Sequence, residues 1–313
     1  MLLVDKVEFV LGYLVQRVLL GLLVLLGVSV TVFGLTYLGG DPAAALLPLN
    51  TAPEDVELFR HKAGLDQPLP IQYINFLSHA VQGDFGNSFR YREGALGLIL
   101  ERLPATLTLA GVGMFFALLI AIPFGIISGL NRGTMADTLS RMLVLLGQSV
   151  PGFWLAIVLI LIFAVKLRWL PVSGAASWQS LILPGFVVAA FPAAIIARLL
   201  RSSLINVMNK EYIRTARAKG LAPAPVLFRH ALKNAAIPVV TVIGLQIGTL
   251  LGGAVIAEVV FAYPGVGRLM VQSISARDLP VIQAFVAVTA TIVVTVNLVL
   301  DLIYTWLDPR ITF

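Results

Sequence analysis

Six stretches of this chain are apolar over a length that can cross a lipid bilayer. A membrane-spanning helix needs roughly 20 consecutive, mostly apolar residues. Of the 313 residues, 58% are hydrophobic and only 12% are charged, whereas a soluble domain carries about 25% charged residues. The sequence therefore predicts an all-α membrane protein with six transmembrane helices. The predicted spans are 18–38, 105–130, 142–165, 183–197, 237–260 and 281–304, the fourth being short and interrupted by Pro184 and Pro192.

Lysine and arginine in the short loops predict the orientation. Short cytoplasmic loops of membrane proteins carry an excess of these residues. The segment 198–236 holds eight of the 22 Lys and Arg, whereas each short loop on the opposite side holds two. An even number of spans puts both termini on the side of 198–236, so we expect the termini in the cytoplasm. The net charge of +6 comes from loops between apolar spans, which form no continuous basic face. No nucleic-acid partner is predicted.

The long segment 39–104 is predicted to lie outside the membrane as a small helical cap. Thr51 and Glu54 have capping-box spacing, which satisfies free backbone donors at a helix start, and Gly64 suits the helix end. A second helix is predicted after Pro70. Its apolar residues recur at near-helical spacing before a glycine break; they are Ile71, Ile74, Leu77 and Val81, with Gly83 and Gly86 following.

The residue patterns of common catalytic and metal sites are missing. There is no Gly-rich loop of the type that cradles nucleotide phosphates, no cysteine and no elbow motif for a serine nucleophile. The three histidines, His61, His79 and His230, are scattered without ligand spacing. The chain is therefore predicted not to be an enzyme, to hold no metal and to bind no cofactor.

Two carboxylates and three glycines stand out within the predicted spans. Glu258 and Asp301 are intramembrane carboxylates, which are functional candidates by default. Each lies a few residues from a polar loop, so we interpret both as hydrated near an interface. Gly244, Gly248 and Gly252 fall on one helix face and permit close helix approach. Packing within the chain and contact with a partner subunit are equally compatible with that face.

A translocation pathway has four candidate residues. Gln148 and Ser149 precede Pro151, whose kink frees backbone carbonyls that need a partner or water. Pore lining and simple hydrogen bonding between helices both remain open for this patch. Gln246 and Glu258 complete the set of possible pathway residues.

The segment 211–221, which reads EYIRTARAKGL, is the most informative part of the basic loop. Ile213, Ala216 and Gly220 fall near one helical face, with Arg214 and Arg217 beside it. Small residues let another protein come close, and arginines can bind carboxylates or backbone carbonyls. Gly220 permits a sharp turn. A second short helix, about 226–235, is expected after the prolines at 223 and 225, which gives a helix-turn-helix layout.

This loop resembles the EAA-type coupling loop of ABC importer permeases, in the form carried by the dipeptide/oligopeptide/nickel branch. The resemblance covers nearly the whole chain and is closest to the B-type permease of that branch, chiefly because of the long segment after the first span. The segments that carry it, in chain order, are YLVQRVLLGLLVLLGVSVTVF, GGDPAAALL, GLDQPLPIQYINFL, GDFGNSF, ERLPATLTLA, SVPGFWLAIVL, LPVSG, YIRTARAKGL, RHALKNA, VIAEVVFAYPGVGRLM and DLIYTWLDPRI.

The resemblance implies a set of partners. In the family the coupling loop docks in a groove on a cytoplasmic ATPase. The chain would pair with a paralogous second permease, two cytoplasmic ABC ATPases that hold ATP and Mg, an extracytoplasmic substrate-binding protein and membrane lipid. It would lie in the bacterial cytoplasmic (inner) membrane. The residues implied for ATPase docking are Tyr212, Ile213, Arg214, Thr215, Ala216, Arg217, Ala218, Lys219, Gly220 and Leu221.

The chain departs from the family motif at one position. Arg214, Thr215 and Ala216 stand where the broader importer family has Glu-Ala-Ala, so Arg214 replaces the usual glutamate. Glu211 lies one turn earlier. The individual polar contacts with the ATPase therefore cannot be carried over from the family.

The expected organisation has four parts. A cytoplasmic N-terminus and first span occupy 1–38, and the external helical segment occupies 39–104. The permease core occupies 105–304 with the coupling loop at 198–236, and a cytoplasmic tail occupies 305–313. Peptides are the favoured substrates, with glutathione and nickel complexes open. A standalone secondary transporter or channel, and a membrane-embedded enzyme or assembly factor, are the competing functions.

Overall fold

A computed structural model describes residues 2–38, 51–62 and 64–307 of the chain. These residues are mostly helical, and the one β-bridge found among them joins Asn87 and Gly94. The helices are α1 (Leu2–Leu38), α2 (Pro53–Lys62), α3 (Leu69–Val81), α4 (Ala95–Leu130), α5 (Met135–Ser149), α6 (Gly152–Leu159), α7 (Ile182–Met208), α8 (Glu211–Ala218), α9 (Leu232–Val260), α10 (Val266–Ser275) and α11 (Leu279–Leu307). Two π-helical segments adjoin these helices: Ile160–Lys166 follows α6, and Val226–Ala231 precedes α9.

The prediction of a helical membrane protein is confirmed, whereas the count of six spans is not. Five described helices are long and apolar enough to cross a membrane, and a sixth exists only if α5 and α6 with its π turn form one broken span. These two pieces meet at an angle of 104°. The break lies at Val150, which is extended because the following Pro151 excludes the helical conformation before it.

The predicted fourth span, 183–197, is too short and its interruption is wrong. The structure has one helix of 27 residues, α7, that runs through Pro192. Pro184 lies in the first turn, where the missing N–H has no partner to lose. Pro192 is tolerated inside α7 because neighbouring helices surround it. Of the candidate spans α7 is the most buried, with 67% of its apolar window buried.

The described residues group into two compact units, one within Met1–Leu103 and Leu269–Phe313 and the other Pro104–Arg268. In the first, α1 packs against α11, and a Cβ added at Gly21 would lie 2.8 Å from the Val294 side chain. Arg17 Nε lies 3.2 Å from Asp301 Oδ2, with the carboxylate 15% exposed. Asp301 is thus paired with Arg17, and α1 and α11 run antiparallel, because Arg17 precedes Gly21 whereas Asp301 follows Val294.

The segment predicted to be external contains α2 and α3, where two short helices were predicted. Gly64 has a φ of +66°, which suits a residue just after a helix. Tyr73 of α3 exchanges a hydrogen bond of 2.8 Å with Ser29 of α1, and its ring packs edge-on against Phe33. The motif at 39–47 and the tail 308–313 lie outside the described residues.

The second unit is built around α7 and α9. Its buried apolar residues form two main clusters, one around Leu183, Val187 and Phe261 and the other around Ile196, Leu204 and Ile213. Glycines let the helices approach closely: a Cβ at Gly113 would lie 2.6 Å from Val188, and one at Gly125 would lie 3.1 Å from the Ala197 carbonyl. The second cluster positions the loop that the sequence singled out.

Candidate coupling surface

The helix predicted to couple the permease to an ATPase is α8, which follows α7 after a short turn. Lys210 has an extended backbone and begins the helix, while its N–H donates to the Val207 carbonyl at 3.0 Å. An isolated helix of eight residues is not stable in water. The position of α8 must therefore come from what it packs against.

Two residues of α8 face the interior of the chain. Ile213 is 0% exposed and Ala216 is 6% exposed, and both belong to the cluster that contains Leu204 of α7 and Val226 of the π-helical turn. The sequence interpretation assigned Ile213, Ala216 and Gly220 to a face for a partner protein; Ile213 and Ala216 are instead covered by this chain, whereas Gly220 is exposed. Apolar and small residues at this spacing serve here to fix α8 against its own chain.

The exposed side of α8 is polar. Tyr212 is 43% exposed, and the other residues predicted to dock on the ATPase are also exposed, apart from Ile213 and Ala216. Arg214 Nη1 lies 3.3 Å from Glu211 Oε1, and the two side chains are 71% and 88% exposed. Such an exposed pair contributes little to stability. Its effect is to place a guanidinium beside a carboxylate on the surface where the family motif has glutamate alone.

A glycine turn ends the helix. Gly220 has a φ of +80°, in the left-handed region that favours glycine, and its N–H donates to the Arg217 carbonyl at 2.9 Å. A Cβ built on it would meet nothing within 4 Å. Beside the turn is a depression of about 450 Å³ whose lining includes Leu221 and Phe228. Phe228 is 67% exposed, so the surface next to α8 carries an uncovered aromatic ring.

A buried ion pair lies between α5 and α7. Asp137 is 1% exposed and accepts two hydrogen bonds of 2.9 Å from the Nε and Nη2 atoms of Arg201. Ser128 Oγ and the Gly133 backbone N–H also donate to the carboxylate. Arg141 Nε lies 3.2 Å from it. Sequence reasoning counted Arg201 only as loop charge and did not find its partner, which is 64 positions away; the Asp137–Arg141 spacing of one helical turn was the available signal.

Glu258 lies near the end of α9 and is also buried. It is 0% exposed, and it accepts hydrogen bonds from Thr106 Oγ1 at 2.6 Å and the Arg268 backbone N–H at 2.9 Å. The turn after α9 closes over the carboxylate so tightly that a Cβ at Gly265 would lie 2.1 Å from its Cδ. The interpretation of Glu258 as a hydrated interfacial carboxylate is therefore wrong. Burial raises the pKa of the neighbouring Tyr263 phenol, and the negative charge of Glu258 raises it further by a smaller amount.

The remaining pathway candidates have different surroundings. Gln148 Oε1 accepts a hydrogen bond of 2.6 Å from Arg198, and Ser149 Oγ donates to the Leu145 carbonyl at 2.9 Å. Gln246 is 7% exposed. Side chains as buried as Gln246 and Glu258 do not line an open pathway in this conformation.

On the glycine face of α9, Gly244 is buried, whereas Gly248 and Gly252 have open space beside them among the described residues. A Cβ on Gly248 or Gly252 would meet nothing within 4 Å among the atoms of the structure. Close packing inside the same subunit, one of the two interpretations of this face, is therefore not seen at Gly248 or Gly252 among the residues that the structure describes. Among the described residues, no group of three or more His, Cys, Asp or Glu side chains is placed to hold a metal.

Two family models match the chain. Residues 121–313 match the binding-protein-dependent transport system inner membrane component, and residues 10–110 match the N-terminal membrane component of the same systems. The dipeptide transport system permease protein DppB of Alkalihalophilus pseudofirmus is 39% identical over 97% of this chain and 100% of its own length. The glutathione transport system permease protein GsiC of Escherichia coli K12 is 43% identical over 97% of this chain and 99% of its own.

The chain is an ABC importer permease. It belongs to the dipeptide/oligopeptide family of these subunits, as the sequence motifs indicated. Members of the family are multi-pass inner-membrane proteins that work with ATPases and a substrate-binding protein.

Solved structures share the fold of the permease. The inward-facing MetNI methionine ABC transporter matches with a TM-score of 0.58 and 20% identity, over 67% of this chain and 96% of that chain. An amino acid ABC transporter crystallised with histidines matches with a TM-score of 0.53 and 14% identity, over 66% and 92%. At these identities the likeness concerns the fold alone.

Proposed function

We infer that this permease forms half of the translocation pathway of a peptide importer. It pairs with a paralogous permease, receives peptides from an extracytoplasmic binding protein and is driven by two cytoplasmic ATPases that bind ATP and Mg. The chain itself binds no nucleotide and catalyses no reaction. Both termini and the coupling loop face the cytoplasm, because the loop carries the largest share of basic residues.

The observation that supports coupling most strongly is the division of α8 into two faces. Ile213 and Ala216 fix the helix to the bundle, while Tyr212 and the basic residues remain exposed for another protein. A helix held in this way moves as one body with α7 and the start of α9. Displacement of α8 by an ATPase is thereby converted into movement of the spans, which alternating access requires.

The open space beside Gly248 and Gly252 of α9 supports a second permease as a partner. Gly248 and Gly252 leave room for a helix to approach closely, and no described part of the chain occupies that room. For the pathway we retain Gln148 and Ser149 as candidates, and crosslinking from these positions to a peptide substrate tests them.

Peptides are the substrates best supported by the relatives. One named relative transports dipeptides and another transports glutathione, which is itself a small peptide. Nickel complexes are the alternative within the resembling branch. Uptake of labelled dipeptide, glutathione and a nickel chelate by the reconstituted transporter with its binding protein separates these classes.

The coupling proposal is tested at Gly220 with two substitutions. Gly220→Asn keeps a residue that tolerates a positive φ, whereas Gly220→Trp adds a bulky side chain whose Cβ has open space in this chain and which we expect to obstruct a docked partner. We expect Gly220→Asn to retain ATPase co-purification and peptide uptake and Gly220→Trp to lose both, with unchanged membrane insertion. Retention of both by Gly220→Trp would refute docking at this turn. Gradient-driven transport by the chain alone would instead identify a secondary transporter.

A further inference from the structure

A cavity between three helices of the second unit combines arginines with apolar walls. It has a volume of about 130 Å³ and lies between the last turns of α4, the middle of α5 and the second half of α7. Three arginines line it: Arg141, Arg198 and Arg201. The lining includes no carboxylate, since Asp137 lies behind it as the partner of Arg201.

The charges around the cavity do not balance. Asp137 provides one negative charge and accepts the bidentate pair from Arg201 at 2.9 Å. Arg141 is a second neighbour of the same carboxylate, at 3.2 Å, and remains 49% exposed. Arg198 donates to a neutral partner, Gln148 Oε1, at 2.6 Å. Two guanidinium groups share one carboxylate and the third has a neutral partner, which leaves an excess of positive charge in a concave site.

The walls of the cavity are apolar and reach an exposed apolar surface. Phe124, Val144 and Leu145 line it, and Leu145 is 45% exposed. On the same helix Met142 and Leu146 are 57% and 58% exposed. A ligand that fits must place an anionic group beside the arginines and can extend a hydrocarbon chain along α5.

We propose that this cavity binds the phosphate group of an anionic phospholipid, with Arg141 and Arg198 as its main contacts. Basic pockets between transmembrane helices bind phospholipid headgroups in other membrane proteins. Arginine suits this role because its planar fork donates two hydrogen bonds to phosphate oxygens. Arg201 is the positioning residue, since its ion pair with Asp137 holds α5 and α7 together on either side of the cavity. The site is independent of which peptide the transporter carries.

The experiment uses the purified full-length chain and compares lipids by thermal melting and native mass spectrometry. Short-chain phosphatidylglycerol is the anionic probe and phosphatidylcholine is the zwitterionic one. The test variant is Arg141→Gln combined with Arg198→Gln. The matched control is Arg132→Gln, which removes an exposed arginine of the neighbouring turn that does not line the cavity.

We expect phosphatidylglycerol to stabilise the wild type and the Arg132→Gln control more than phosphatidylcholine does. The double variant should bind phosphatidylglycerol about 30-fold more weakly, which corresponds to the loss of two basic contacts near a lipid phosphate. If the double variant does not fold, Arg198→Gln alone carries the test, because that arginine is not part of the Asp137 ion pair. Arg198→Lys, which keeps the charge and loses the fork, should bind with intermediate strength.

Three results would overturn the proposal. Equal phosphatidylglycerol binding by the wild type and the double variant places the lipid elsewhere. Equal protection by inorganic phosphate or glycerol phosphate shows that the cavity is a site for free anions. Protection by a dipeptide that competes with phosphatidylglycerol shows that the arginines bind the terminal carboxylate of a transported peptide.

Discussion

Shortening Ile213 should uncouple the permease from its ATPases even though the side chain faces away from them. Ile213 is 0% exposed beneath α8. Ile213→Ala removes three buried carbons, each worth about 0.8 kcal/mol in transfer from water. The cavity left behind adds to this cost, and buried isoleucine-to-alanine changes reach about 2–5 kcal/mol. A helix of eight residues has too little stability of its own to absorb such a loss.

The assay compares two neighbouring positions in the assembled transporter. Ile213→Ala should lower the melting temperature and reduce ATPase stimulation by the binding protein, because α8 is no longer fixed to α7. Ile213→Val, which costs about 0.5–1.5 kcal/mol, should give a small effect in the same direction. Tyr212→Ala, at a position that is 43% exposed, should weaken ATPase association without changing the melting temperature of the permease. Normal melting and normal stimulation in Ile213→Ala would refute the claim that buried packing positions the coupling helix.

Three further changes test other parts of the second unit. Asp137→Asn should destabilise the permease by about 3–5 kcal/mol, because Arg201 loses its carboxylate. Adding Arg201→Gln should recover part of that loss in melting experiments. Strictly additive losses would argue against a coupled pair. Glu258→Gln should cost about 1–3 kcal/mol, because an amide nitrogen replaces one oxygen that accepts a hydrogen bond in a closed site; an unchanged melting temperature would show that the carboxylate is not held as described. Gly248→Leu should not lower the melting temperature of the isolated chain, because its Cβ meets nothing within 4 Å and leucine is the better helix former. It should prevent co-purification of a second permease, and normal co-purification would remove that face from the interface.

The helices were predictable from sequence because their apolar residues form long uninterrupted runs. The ends of the helices were harder to predict. For example, α4 begins at Ala95, well before the predicted 105, because a helix can continue through polar residues such as Glu101 and Arg102 beyond its apolar part. The broken path of α5 and α6 was foreseen only as a kink at Pro151. Its angle depends on packing between helices, which no local pattern records.

The helix and the glycine turn of the candidate coupling loop were predicted from the sequence, whereas the direction in which Ile213 and Ala216 face was not. Gly220 marked the turn because few other residues adopt a positive φ. Ile213 and Ala216 were assigned to the wrong side, because small and apolar residues look alike whether they pack inward or await a partner. Glu258 was misread for a related reason. A polar loop nearby in sequence does not bring water, since the turn through Gly265 folds back over the carboxylate.

The two faces of α8 are under different constraints: substitutions on the exposed face leave the packing of the permease unchanged, whereas substitutions on the buried face disturb it. Residues beneath the helix contact the permease itself, whereas in the proposed coupling Tyr212, Arg214 and their exposed neighbours contact the ATPase. Exchanging only the exposed set between two related importers should therefore transplant the choice of ATPase and leave the permease fold as it was. In this way a permease could acquire a different ATPase partner during evolution through substitutions on one side of a helix of eight residues.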